Sequence, residues 1–517
     1  MAEKTTEGTS PDVAKIIAED VKTLHSMGYA QELHRRMHGF SNFAISFSII
    51  CILAGGITSF PVGLNSAGGA AIGLGWPLSC FFSLIVALGM GQIASSFPTA
   101  GGLYHWGSIL GGRGAGWLTA WFNLIGLITV MAAVNVGTYT LFVGFFGPIL
   151  GFDPSASPQL WQGIIVSLIT ISQALFNHLG IRTTTKLTDA SGYIIFAFAI
   201  LLTLALFAYA PSHDFSRLWT FTNYSGDPGG GVWPASSNIG FMFLVGLLLP
   251  AYTITGFDAS AHTSEETIDA SRSVPRGMVN AVLYSAIFGY LMLIAMVIAI
   301  PDMAEGAGKG WNVFYYMMDA VLPGGVKLFL YVGIWIANYL CGLAIVTSAS
   351  RMMFAFARDG GLPFSGALRE VSKNHRVPAA SIWTAAALGI GFTLYAKVYS
   401  TIVTVCVIFL YISYVIPIAL GFFAYGKTWT RMGPWNIGAW FKPVAVLSII
   451  GCGTIMYIGV QPPNDLALKV MLYSFAATAV IWFGLERRRF QGPPQGTMIQ
   501  QRQDAIAAAE KAIGQTT

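Results

Sequence analysis

Long apolar runs separated by short polar stretches fill the chain from about residue 40 to residue 490. No Asp, Glu, Lys or Arg occurs from Met37 to Gly112, from Gly114 to Phe152, or from Pro154 to Ile181. A helix crosses the hydrocarbon core in about 20 residues, so each gap holds one or two spans. Hydropathy predicts about twelve spans. They fall near 41–65, 70–96, 116–146, 160–180, 189–210, 238–264, 276–300, 326–350, 379–396, 398–424, 443–461 and 467–485. The predicted fold class is all-α, a polytopic membrane protein.

Two of these runs carry interruptions at mid-membrane depth. The first reads FSIICILAGGITSF over Phe47–Phe60. Gly weakens a helix interior by roughly 1 kcal/mol relative to Ala, so Gly55-Gly56, followed by Ile57-Thr58-Ser59, predicts an opening there. The sixth reads GLLLPAYTITGFDASAHTSEE from Gly246. There Pro250 removes a backbone donor, and Thr255-Gly256 follows. Opened backbone inside a membrane survives only where it lines a cavity or meets a ligand. The two interruptions open two five-span halves, 40–210 and 238–424. Paired breaks at corresponding positions point to the binding site of an inverted-repeat transporter. The plainer alternative is that Pro and Gly only kink the helices or let them pack closely.

Opened helices offer N–H groups that suit a carboxylate and carbonyls that suit an ammonium group or a cation. Together they match a zwitterion such as an amino acid. Asp258 stands two residues after Gly256 in an otherwise uncharged run. An acid inside a span is a functional candidate by default. It pairs with a substrate amine, carries a proton, or caps the second half-helix. His262 shares its helical face, and its plainer reading is an interfacial residue. Glu265 and Glu266 are expected to bond the neighbouring cytoplasmic loop.

Composition agrees. The chain is 54% hydrophobic and 10% charged, where soluble proteins carry about 25% charged residues. Predicted inner segments hold most of the Lys and Arg, including Arg35, Arg36, Arg272, Arg276, Arg351, Arg358 and Arg487–Arg489; outer loops hold few, among them Arg217, Lys309, Lys327, Lys397 and Lys469. This bias predicts an even number of spans with both termini cytoplasmic, and assigns the net charge of +5 to the inner loops, with no nucleic-acid partner. The remaining parts are a cytoplasmic tail over 1–39, two further spans within 443–485 and a second tail over 486–517. The first tail is expected to form an amphipathic helix over Asp20–Arg36, and the second a surface helix over Asp504–Ile513. The outer loop 301–325 reads as an interfacial helix. The five cysteines lie in apolar runs and suggest neither a disulfide framework nor a metal site.

Several motifs carry a family resemblance. Phe97-Pro98-Thr99-Ala100-Gly101-Gly102-Leu103-Tyr104 resembles the loop after the second helix of amino acid–polyamine–organocation transporters. Ser350 to Pro363, SRMMFAFARDGGLP, resembles that superfamily's signature after helix eight. Glu265-Glu266 followed by Val274-Pro275-Arg276 resembles its loop after helix six. The opening His38 to Ala44 with Ser46 to Ile50 is similar to the amino acid/choline subfamily, which includes GABA permeases, choline permeases and bidirectional amino acid transporters. The resemblance covers roughly residues 20–490. It implies a five-plus-five inverted repeat with two extra helices, with substrate held by broken helices one and six. It implies a carboxylate on Ala54, Gly55 and Gly56, and an amine near Tyr252, Thr253 and Ile254, with Thr255, Gly256 and Asp258 completing the site. Tyr252 is the position of a gate in some relatives. Thr347 and Ser348 resemble a hydroxyl pair that binds sodium in related folds, or else pack between helices. The lysine that some proton-coupled relatives carry on helix five is absent from Tyr193–Phe207.

The expected function is a secondary permease for an amino acid, with GABA as one candidate, in the cell membrane. Choline or polyamine transport and a transporter-like nutrient sensor are the alternatives. H+ or Na+ would be the coupling ion and membrane lipid the surroundings. No cofactor is called for: there is no phosphate loop for direct ATP drive, and the clustered ligands of a membrane-embedded enzyme are lacking. Asn123 and Asn135 in the third span read as interhelical hydrogen-bonding groups. Tyr411 and Tyr414 in the tenth read as packing or an outer gate. His105 and His178 read as partners of loop backbone.

Overall fold

The computed structural model describes residues 11–395, 399–462, 464–494 and 496–512. Lys397, Ile513 and the outermost parts of both tails lie outside them. Among the described residues, ten helices are long and apolar enough to cross a membrane, and two shorter apolar ones, Ile239–Thr253 and Ala379–Leu394, make up the predicted twelve. The fold is all-α, as the hydropathy requires.

The third span, Arg113–Leu150, and the eighth, Gly324–Arg358, are the longest helices. With the tenth, Tyr399–Ala424, they wall the centre of the bundle. Within that wall stand the two interrupted spans. The first runs as Gly39–Ile50, then Ile52–Thr58, then Phe60–Ala67. The sixth runs as Ile239–Gly246 and Leu248–Thr253, opens over 254–258, and resumes at Ala259–His262.

Two expectations about the side that carries the tails need correcting. The N-terminal helix spans Pro11–Ser26 and not 20–36. After it the chain is extended and pairs by backbone with the segment after the sixth span: Met37 N–H donates to Glu266 O and Ile268 N–H to Met37 O, both at 2.8 Å. Gly28, with φ +83°, allows the turn that ends the helix. Arg351 and Arg358 belong to the eighth helix itself rather than to the loop after it. The described parts of both tails lie on one face, because His25 Nε2 meets Glu510 Oε1 at 2.7 Å and Gln31 N–H donates to the same oxygen at 2.9 Å. An even number of crossings follows.

Candidate functional site

The first break is displaced from its expected place. Cys51, with φ +30° and ψ +82°, is the residue that leaves the helix. Gly55 and Gly56 lie within the helix that follows, and Gly55 N–H bonds to Cys51 O at 3.0 Å. The glycines have a different task. A Cβ on Gly55 would stand 3.0 Å from Thr253 Cα, and one on Gly56 would stand 3.0 Å from Met292 Cε. Missing side chains let the first span approach the sixth at Gly55 and the seventh at Gly56, so close packing explains the glycines and a left-handed cysteine makes the break. A non-glycine residue held there stores on the order of 1–3 kcal/mol, and such residues cluster at functional sites.

The sixth span opens where expected. Gly256 takes φ +84°, and a Cβ there would collide with Ile49 Cγ2 on the first span. Thus Gly55 faces Thr253 and Gly56 faces Met292 of the seventh span, while Gly256 faces Ile49 just before the first break. The two breaks are neighbours at one depth, and Tyr252, Thr253, Ile254 and Thr255 are all buried between them.

Asp258 is fully buried and held from three helices. Tyr414 on the tenth donates to Oδ1 at 2.8 Å. Asn123 on the third donates to Oδ2 at 2.9 Å. His262, one turn along its own helix, meets Oδ2 at 3.2 Å. Asp258 occupies the N-cap position, but its carboxylate makes no cap bond; the capping alternative is therefore set aside. The tyrosines also hold the opened strand directly: Gly256 N–H donates to Tyr414 Oη at 3.1 Å, and Tyr411 donates to Ile254 O at 3.1 Å. They do more than pack, since each bonds the opened backbone directly. Asn123 does bond between helices, and what it bonds is Asp258. The sequence signal for Asn123 was its polarity in an apolar run; for the tyrosines there was none, since aromatics are common in spans.

Below the breaks, the two inner halves are tied together. Ser46 donates to Phe257 O at 2.8 Å, Ser260 N–H donates to Ser46 Oγ at 3.0 Å, and Asn42 Nδ2 donates to Ser260 O at 2.9 Å. Four such bonds, with Ser260 donating back to Asn42 O at 2.7 Å, make the halves one body. Beneath them Glu265 pairs with Arg358 at 2.7 Å and Glu266 with Arg351 at 3.1 Å. Both arginines stand on the eighth helix, seven residues apart on one face, and among the described residues the expected loop contact is limited to Glu265 Oε1, which accepts from Ala100 N–H at 3.1 Å. Asp359 closes the layer, accepting from Tyr29 at 2.6 Å and Tyr104 at 2.9 Å. Burial pushes its carboxyl above the usual carboxylate range, against the nearby Arg358.

The hydroxyl pair that resembles a sodium site stands on the eighth helix. Thr347 donates to Asn177 Oδ1 at 2.7 Å, an interhelical bond. Ala337 and Cys341 of the eighth helix reach the break: Cys51 Sγ lies 3.8 Å from Ala337 O, and Cys341 Sγ lies 3.3 Å from Ile49 O. Thr347 is six residues further along, about 9 Å along the helix. Ser348 Oγ is buried and has no partner among the described residues. Asn135 bonds between helices as expected, to Thr170 and Gln173 at 2.9 Å each. His105 meets the Thr99 hydroxyl at 2.9 Å instead of backbone, and His178 Nδ1 has no such partner.

A family model described as amino acid permease matches residues 38–485. "Amino-acid permease BAT1" of Arabidopsis thaliana is 32% identical over 502 residues, 91% of this chain and 95% of that protein. "Amino-acid permease BAT1 homolog" of Oryza sativa subsp. japonica is 31% identical over 500 residues, covering 91% and 94%. "Amino-acid permease 2" of Neurospora crassa is 27% identical over 494 residues, covering 91% and 88%.

Proposed function

This chain belongs to the amino acid permease family, and we propose that it is a secondary transporter that moves an amino acid across the cell membrane by alternating access, with both tails in the cytoplasm. The observation that carries this reading is the meeting of the two breaks. Opened backbone from the first span (after Cys51) and from the sixth (254–258) lies side by side at one depth, in a bundle whose walls are otherwise regular helices. The N–H groups of the first turn after Cys51, at Ile52 and Leu53, would take the carboxylate; those of Ala54 and Gly55 already bond Cys51 O at 2.8 and 3.0 Å, so Ala54, Gly55 and Gly56 would shape the site rather than donate to it. Carbonyls at the end of the outer half of the sixth span, at Tyr252, Thr253 and Ile254, would take the amine. The relatives, each printed as an amino-acid permease, support this class of substrate.

In this reading the tied inner halves move as one body, and the Glu265–Arg358 and Glu266–Arg351 pairs open to release substrate inward. The five-plus-five repeat fits this motion, since the breaks serve as its hinges. Proton coupling is favoured over sodium. Asp258 and His262 form a buried acid–base pair beside the break, and an acid within a span is suited to carry a proton. GABA remains within the class, because an ω-amino acid also presents a carboxylate and an ammonium; choline lacks the carboxylate and fits less well.

Uptake into proteoliposomes tests the reading. A panel of labelled amino acids, GABA and choline is offered with and without sodium and at two pH values. Saturable, pH-gradient-dependent uptake of an amino acid is expected. Uptake of choline alone, or of nothing in the panel, would overturn the proposal.

A further inference from the structure

Among the described residues, one buried amide keeps neither end of its polar group satisfied. Asn338 on the eighth helix is 1% exposed, and neither its Oδ1 nor its Nδ2 has a hydrogen-bond partner. Nearby buried amides behave differently. Gln173 donates to Asn135 Oδ1 at 3.0 Å and to Tyr339 O at 2.9 Å, and Asn177 donates to Leu343 O at 3.1 Å. These side chains hold helices together; Asn338 holds none. A desolvated amide without partners destabilises the fold that contains it, and such a group in a native protein calls for an explanation.

Its position supplies one. The preceding residue, Ala337, and the residue three further on, Cys341, both touch the break in the first span, through Cys51 and Ile49. On the other flank, Gly342 packs against Asn135 and Gln173, and Trp335 donates to Thr138 O on the third span at 3.2 Å. By helical rotation Asn338 lies about 60° from Cys341 and about 40° from Gly342, between the two sets. Its amide therefore sits at the depth of the break, in the angle between the first and third spans.

We propose that Asn338 reads the side group of the transported amino acid and selects substrates whose side group is polar and uncharged. The inference rests on the permease reading above. The amide presents one acceptor oxygen and two N–H donors. A carboxamide or hydroxyl side group both donates and accepts, and so satisfies both ends at once. An ω-ammonium uses only the oxygen, and an aliphatic side chain uses neither. A site built to hydrogen-bond a substrate group rejects the analogue that lacks it far more strongly than an apolar pocket rejects an extra group.

The experiment compares the full-length wild type with Asn338→Leu and Asn338→Ser in proteoliposomes. Labelled glutamine, serine, leucine and GABA are used, and KM and kcat are measured separately. The wild type should favour glutamine or serine. In Asn338→Leu the ratio of the glutamine KM to the leucine KM should rise at least tenfold. Thermal unfolding of the substrate-free Asn338→Leu protein should shift upward, because an unpartnered amide gives way to an apolar side chain of similar volume. A packing role would give the opposite shift with unchanged selectivity, and that result would overturn the assignment. So would a wild type that prefers leucine or GABA. Should the leucine variant not fold, the serine variant decides: an unchanged glutamine-to-leucine ratio refutes the proposal. Wild-type protein that takes up no amino acid would refute the permease reading itself, a distinct outcome.

Discussion

Tyr414 and Asp258, on the tenth and sixth spans, share a 2.8 Å hydrogen bond, and the same tyrosine oxygen accepts the N–H of Gly256 at 3.1 Å. One hydroxyl thus supports both the opened strand and the buried acid beside it. Tyr414→Phe leaves a peptide N–H and a carboxylate oxygen without that partner, a loss of about 1–3 kcal/mol for each buried group. Uptake should fall at least tenfold, with a lower thermal midpoint in detergent. Asp258→Asn keeps the shape and removes the charge; it should abolish or uncouple uptake while the protein still elutes as a single species. Normal uptake by Asp258→Asn, measured in proteoliposomes, would remove the acid from the mechanism.

These contacts show what a sequence can and cannot disclose. The sixth break was legible because Pro250, Gly256 and Asp258 crowd into nine residues, each with its own local consequence. The first break was placed four residues late. Two adjacent glycines suggest an open helix and close packing equally, and only the position of Thr253 separates the two. Cys51 carries no intrinsic preference for the left-handed region, so its conformation is imposed by surroundings that no local rule describes. Tyr414 and Asp258 are separated by 156 residues, and nothing short of the tertiary fold pairs them. Arg351 and Arg358 did carry a signal: two cations seven residues apart share a helical face, and the adjacent Glu265-Glu266 is the natural complement.

Gly256 tests the geometry of the sixth break. At φ +84° an L side chain is strained, and a Cβ there meets the Ile49 side chain as well. Gly256→Ala should therefore lose about 1–3 kcal/mol of stability from backbone strain alone, and should impair uptake more than Gly55→Ala. The Gly55 Cβ would be tight at 3.0 Å but in ordinary helical backbone. Thermal melts and uptake rates of the two variants, measured together, check the order. Equal effects would mean that the strand can adopt another conformation.

The Glu266–Arg351 pair has both side chains fully buried. Removing one partner strands the other, which typically costs about 3–5 kcal/mol. Arg351→Met should be severely destabilised. The double variant Glu266→Gln with Arg351→Met should recover much of that loss, because no unpaired charge remains. A double-mutant cycle on unfolding midpoints measures the coupling. If the pair also serves as an inner gate, the stable double variant should show a raised rate of substrate efflux from preloaded vesicles. Unaltered efflux would confine the pair to a structural role.

His34 gives the N-terminal segment a pH dependence of defined sign. Burial, aided by Arg376 and Arg36, lowers its pKa from 6.5 to about 4. A histidine held neutral in the docked state contributes stability that is present above the unfolded value of 6.5 and lost as pH falls toward about 4. Asp20 and Glu32 in the same segment act the other way. Burial raises both carboxyls, so their contribution is full below the ordinary carboxylate range and is lost as pH rises through their elevated values. Hydrogen exchange over residues 27–37, corrected for intrinsic rates, should therefore show the wild-type segment opening more at pH 5 than at pH 7.5 by more than it does in His34→Gln. The carboxyl contributions are common to both proteins and cancel in that difference. An identical pH response in the two would assign the acid sensitivity of the tail to some group other than His34.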